Sequence, residues 1–291
     1  MSTYPNLVYR DQKSALRPMW RESFVALDWI ALHTAPVFYG LGIPRGDRSA
    51  VITVPGFMGT DLYLRELHCW LRRIGYRPYL SRIGRNADCL DLLVDRLLQT
   101  IQKAYDETHG MVHLIGHSLG GVLALSAASL RPDIVASVIT LGAPFRGIRS
   151  HPMVLEMSKV VRERIRKARR DDTKPACFTG YCDCNAVAAL KIPCPHPIRH
   201  TAVYTKTDGV VDWRVCVNDD AATNVEVQST HIGLVFNPWV YELIADRLPK
   251  KESWACLQGQ QRARSLRVST EPKRSSLRSL SSRRGRNPSK K

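Results

Sequence analysis

The chain of 291 residues is 44% apolar and carries a formal net charge of +17. That apolar share supports a real core and excludes a disordered chain, and no run reaches the ~20 apolar residues that a membrane-spanning helix needs. The charge is uneven: residues 259–291 hold eleven Lys and Arg against one acid, Glu271, a net of +10 that leaves +7 elsewhere, so the basicity describes a tail rather than a folded surface.

Residues 1–48 read as an N-terminal helical extension. Its stretch "SFVALDWIALHTAPVFYGLGIP" is broken by Asp28 and His33 and starts too late for a secretory signal. A buried N-terminal helix is the expectation, with a place on a membrane surface as the other reading. From Ser49 the pattern alternates. "SAVITVPG" is a buried strand ending at a Pro-Gly break, and "LYLRELHCWLRRIGY" follows at helical spacing. "RPYLSRI" is a short strand. "CLDLLVDRLLQTIQKAY" is an amphipathic helix with Leu90, Leu93, Leu97, Ile101 and Tyr105 on one face. "MVHLI" and "IVASVITLGAP" are strands on either side of the helix "GVLALSAASL".

The alternation stops after Arg149. Residues 150–198 hold a basic amphipathic helix, "VLEMSKVVRERIRKARR", and then a cysteine- and proline-rich loop. In the helix, Val154, Val161 and Ile165 lie near one face with Arg162, Arg166 and Arg169 beside it. The segment reads as a cap or lid inserted over the sheet. Strands resume in "TAVYTKTDG" and "NVEVQSTHIG", and the last helix is "PWVYELIADRL". The fold class expected is α/β: a mostly parallel, twisted sheet with helices on both faces and a cap insertion, the main domain spanning 49–252. Residues 253–291, rich in Ser and Arg, read as a disordered basic tail.

Gly116-His117-Ser118-Leu119-Gly120 places a serine between glycines where a strand turns into a helix. So sharp a turn strains the serine backbone, and flanking residues without Cβ atoms avoid the neighbouring strands. The hydroxyl then stands at a helix N-terminus, where backbone N–H groups favour negative charge. A serine needs a base to act as nucleophile, and on such a sheet the chain order is serine, acid, histidine. "YTKTDGVVDW" offers Asp208 and Asp212; Asp208, in a turn just after a strand, is favoured. His231 lies in a loop before the last helix and is the candidate base. His196 and His200 would break the chain order and suit surface or structural roles, His117 points away from an elbow serine, and His113 lies inside a strand. Two N–H donors should face the developing oxyanion: Leu119 after the nucleophile, and Phe57 in the loop "VPGFMGTD", where Gly56 allows close approach.

Together "VPGFMGTD", "GHSLGG", "LGAPFRG", "YTKTDGVVDW" and "STHIGLVFNPWVYELIADRL" resemble the α/β-hydrolase superfamily, in its bacterial esterase/lipase-like branch, over roughly Ala50 to Leu248. The resemblance implies cleavage of carboxylic esters through an acyl-enzyme at Ser118, with His231 as base, Asp208 as orienting acid, and the Phe57 and Leu119 amides as oxyanion hole. The alternatives are an acyltransferase with the same triad and a non-catalytic binding protein on the same fold.

Cys177, Cys182 and Cys184 stand close together, with Cys194 and Cys216 beyond. The C-x4-C-x-C spacing departs from paired zinc motifs, and three readings stay open: reduced buried thiols, disulfides, or a metal site. No metal or cofactor enters the expected chemistry. The expected ligand is a small-molecule or lipid acyl ester. The tail's charge allows weak, salt-dependent contact with a membrane surface or nucleic acid, and no obligate protein partner is evident. A cytoplasmic protein, able to sit at the membrane periphery, is the expected location.

Overall fold

The computed structural model describes residues 18–147, 149–169, 184–191 and 198–248. Six strands, β1 (Ala50–Val54), β2 (Arg77–Leu80), β3 (Val112–His117), β4 (Val135–Leu141), β5 (Arg199–Tyr204) and β6 (Asn224–Glu226), form one sheet in the order β2-β1-β3-β4-β5-β6. Every pairing is parallel. Parallel neighbours need crossovers, which the helices supply. These are α1 (Val25–Thr34), α2 (Arg65–Arg73), α3 (Leu90–Thr108), α4 (Leu119–Leu130), α5 (Pro152–Arg169), α6 (Asn185–Leu190) and α7 (Pro238–Arg247).

The central strands read as unbroken apolar runs because both of their faces are covered. Every residue of β1, β3 and β4 is buried. The edge strands β2 and β6 are shorter and partly exposed, and β2 carries Pro78, which an edge tolerates. Alternate strand residues feed two cores. Ile52, Val54, Leu114 and Val138 pack with Leu97 and Ile101 of α3, Leu123 and Ala127 of α4, and Ala186 of α6. On the opposite face Val51, Ile115, Ile139, Leu141 and Val203 meet Trp70 and Leu71 of α2, Val240, Tyr241 and Ile244 of α7, and Leu32 of α1.

Helix α1 departs from the expected buried helix. Leu32 is fully buried, but Leu27, Trp29 and Ile30 are 61, 45 and 52% exposed. The helix turns its one carboxylate, Asp28, toward the loop that precedes α7, where Ser229 Oγ donates to it at 3.2 Å. A polar inward contact fixes the rotation of the helix and leaves Leu27, Trp29 and Ile30 outside. Among the described residues no helix is long and apolar enough to cross a membrane.

The helix expected in the insertion is α5; the side chains of Arg162, Arg166 and Arg169 lie outside the described set. Helix α6 stands where only a loop was expected. Six residues cannot hold a helix alone. Here the Asp91 carboxylate accepts from the Asn185 and Ala186 amides at 3.3 and 2.7 Å, and Ser126 Oγ donates to the Ala186 carbonyl at 2.9 Å. Caps from α3 and α4 thus replace the local signal that the sequence lacks. Residues 1–17, Cys177, Cys182, Cys194, His196 and the tail 253–291 lie outside the described residues.

Candidate active site

Ser118 stands between the end of β3 and the start of α4 at φ 52° and ψ −125°, a backbone region that L residues rarely adopt. The strain is held by the surroundings. Ser118 N donates to the Leu141 carbonyl of β4 at 2.8 Å, and Gly121 N donates to the Ser118 carbonyl at 2.9 Å. A Cβ at Gly116 would collide with the Gly121 backbone, and one at Gly120 would collide with the Val54 and Pro55 carbonyl oxygens. Both predicted glycines are therefore required by close approach.

Asp208 and His231, from the turns after β5 and β6, meet directly: His231 Nδ1 lies 2.7 Å from Asp208 Oδ2, with both residues buried. The other carboxylate oxygen of Asp208 accepts from the Val210 and Val211 amides at 2.8 and 2.7 Å. With Asp208 ionised, Nδ1 of His231 is the protonated nitrogen and Nε2 is left to accept. Burial alone would push the imidazole down, but the charge and hydrogen bond of Asp208, with a smaller push from Glu22, leave its pKa raised above the ordinary 6.5.

The other candidates have structural partners. Asp212 caps the turn Trp213–Val215 and bonds to Arg214, with Arg149 3.5 Å away. His113 bonds to Ser137 Oγ at 2.9 Å and His200 to Thr140 Oγ1 at 3.0 Å; burial pushes both imidazoles down to about 4. His117 turns its Nε2 to the backbone carbonyl of His231 at 3.0 Å, so this nitrogen carries the proton. Burial, and the charge of His231 beside it, push it down to about 3. Its hydrogen bond goes to the backbone of His231 rather than to the serine.

Two residues that sequence reasoning missed organise the site. Glu22, in the 3-10 turn Met19–Phe24, is buried. Its Oε1 accepts from the Gly209 and His231 amides, each at 3.1 Å, and its Oε2 accepts from the Ile232 amide at 3.0 Å. Asn86 fastens the loop after β1: its side chain donates to the Pro55 carbonyl at 2.7 Å, its carbonyl accepts from Met58 N at 2.8 Å, and its amide donates to the Gly59 carbonyl at 2.9 Å. Neither residue belongs to a spaced motif. Glu22 stands beside Arg21, just ahead of the apolar run that begins at Ser23, and nothing in that context pointed to a partner.

Ser118, His231, Gly56, Phe57 and Leu119 line one cavity of about 430 Å³. As the first residue of α4, Leu119 has an amide with no intrahelical acceptor. The remaining wall is chiefly apolar: Met19, Val154, Leu155 and Met157 of α5, and Val187 and Leu190 of α6. Among the described residues no group of three or more His, Cys, Asp or Glu side chains could hold a metal ion. Cys216 is buried, its Sγ 3.8 Å from the Asp212 carbonyl, and burial pushes its thiol well up.

A parallel sheet in this order, with a strained serine at the end of β3 and a histidine before the last helix, defines the α/β-hydrolase fold. The chain belongs to the family of the PGAP1-like alpha/beta domain, which it matches over residues 84–235. It is 31% identical over 121 residues to a triacylglycerol lipase of Pseudarthrobacter phenanthrenivorans, covering 38% of each chain. To a triacylglycerol lipase of Burkholderia plantarii it is 31% identical over 121 residues, covering 38% of this chain and 34% of the other. The match thus spans little more than a third of those relatives. Among solved structures, a monoacylglycerol lipase of Paleococcus ferrophilus superposes with a TM-score of 0.45 at 14% identity, over 70% of this chain and 96% of the other.

Proposed function

We propose that the chain is a serine hydrolase that cleaves carboxylic esters with an apolar acyl group, through an acyl-enzyme at Ser118. The observation that carries this reading is the His231–Asp208 pair at 2.7 Å, opening onto the same cavity as the strained Ser118. His231 Nε2 takes the Ser118 proton as Oγ attacks the ester carbonyl. The Phe57 and Leu119 amides receive the developing oxyanion, and the imidazolium then protonates the leaving alcohol. Water then attacks the acyl carbonyl while giving a proton to His231, and the imidazolium returns that proton to Ser118 Oγ as the acid leaves. Asp208 holds the tautomer that leaves Nε2 free to accept. The cavity falls within the ~300–1,000 Å³ typical of small-molecule sites, and its apolar wall suits an acyl chain. The triacylglycerol lipases among the relatives agree with a lipid ester. Residues 150–198 act in this reading as a cap whose helices α5 and α6 shape the acyl side of the cavity.

The test is hydrolysis of p-nitrophenyl esters from acetate to palmitate by the full chain. Turnover that rises from acetate toward medium or long acyl chains is the expected result. No turnover on any chain length defeats the proposal.

A further inference from the structure

We propose that Glu22 is a positioning residue for His231, a second carboxylate that ties the acid and base loops together and adds negative charge beside the imidazole. This rests on the reading of His231 as the base. Glu22 lies 187 positions from Gly209 and 209 from His231, yet its Oε1 accepts from both amides at 3.1 Å. Gly209 directly follows Asp208, so one oxygen atom joins the backbone beside the acid to the backbone of the base. The second oxygen takes the Ile232 amide at 3.0 Å, which fixes the carboxylate plane. Three backbone amides converge on this carboxylate, and N–H donors are the partners that suit a negative group.

That charge matters where it sits. A buried charge acts through a low local dielectric and is weakly screened. In the proposed reaction His231 becomes an imidazolium in the transition state, so a fixed negative charge nearby stabilises the transition state more than the ground state. The groups around His231 are Asp208 on its Nδ1, Glu22 under its backbone, and the His117 ring with its centroid 4.8 Å away. Beyond them stand Asp28, bonded to Ser229 of the same loop, and Tyr63, a neighbour of His117 in the cavity wall. His117 is neutral and Tyr63 is protonated, its phenol pushed up by burial and by Glu22, so Asp208 and Glu22 supply the charge. Glu22 raises the His231 pKa alongside Asp208.

The experiment compares wild type, Glu22→Gln and Glu22→Asp in the full chain, by kcat and KM against pH on a soluble ester. Glu22→Gln keeps the size of the side chain but loses the charge and the Ile232 acceptor. Its kcat should fall roughly tenfold, the scale of a lost charged hydrogen bond, with KM little changed. Its acid limb should move to lower pH. Glu22→Asp should restore the position of the acid limb, because it keeps the charge. A Glu22→Gln enzyme with the wild-type kcat and pH profile overturns the proposal. Nitrogen-15 titration of His231 separates this from failure of the hydrolase reading. If the wild type cleaves no ester, a lower His231 midpoint in Glu22→Gln still supports the role of Glu22, and an unchanged midpoint overturns it. Amide exchange in the unaltered chain needs no variant: slow exchange at Gly209, His231 and Ile232 is expected, and fast exchange there contradicts the clamp.

Discussion

Ser118 and His231 line one cavity but are held in different ways. The serine is fixed by its neighbours in sequence, Gly116 to Gly121, and by the adjoining strand β4. The histidine is fixed by one carboxylate 23 positions away and another 209 positions away. A short strand-turn-helix motif therefore holds the serine almost unaided, whereas the histidine also draws on Glu22 of the N-terminal turn. The two sides should respond differently to substitution.

Under the proposed mechanism the largest effects are expected at Ser118 and Asp208. Ser118→Ala should lower ester hydrolysis by on the order of 10⁵-fold with the fold intact, because removal of the nucleophile leaves only binding and oxyanion stabilisation. Asp208→Asn should cost about 10⁴-fold, since an amide no longer enforces the tautomer with Nδ1 protonated. Steady-state rates beside circular dichroism check both. If Asp208→Asn retained most activity, the base would be held by something other than the acid loop, and the contrast between the two sides would collapse.

Stability should separate the sides next. Gly120→Ala drives a Cβ into the Val54 and Pro55 carbonyls, backbone atoms that cannot swing aside. The expected loss is about 1–3 kcal/mol in urea unfolding, as for overpacking of a close contact. An unchanged midpoint would mean that the turn from β3 into α4 is looser than its geometry.

The pH dependence sharpens the comparison further. A protonated His231 cannot take a proton from Ser118, and its pKa is raised above 6.5, so kcat/KM should decline as pH falls through a midpoint above that value. Stability responds to other groups. His117 is held neutral at about 3, and His113 and His200 at about 4, while unfolded histidine protonates near 6.5. Below that pH the unfolded chain binds more protons at these three sites, so stability should drop as pH falls from 6.5 toward 4. His231 and Asp28, both raised, act in the opposite sense but are fewer. Urea midpoints at pH 7.5 and 5 test this, and a higher midpoint at pH 5 would contradict it.

Much of this architecture could be read from the sequence because its signals are local. Continuous apolar runs marked β1, β3 and β4, and the spacing of Leu90, Leu93 and Leu97 marked α3. Glycines around Ser118 marked the tight turn from β3 into α4. Asp208 stood out over Asp212 by its place after a strand, and Asp212 turned out to cap a turn and pair with arginines. What could not be read depends on contacts across the chain. Asp91 and Ser126 hold α6, Asn86 pins the loop of Phe57, and Glu22 joins the loops of Asp208 and His231. Helix α1 shows the same limit from the other direction. Its apolar composition pointed to burial, but the contact of Asp28 with Ser229 sets its rotation and leaves Trp29 and Ile30 outside.

The most direct measurement is to treat the full chain with a fluorophosphonate probe and locate the adduct by peptide mass spectrometry. The account predicts one adduct, on Ser118, formed rapidly in the wild type and at least a hundredfold more slowly in His231→Ala, a modest share of the effect of a lost general base. An adduct on another serine, or labelling of Ser118 at the same rate without His231, would contradict it.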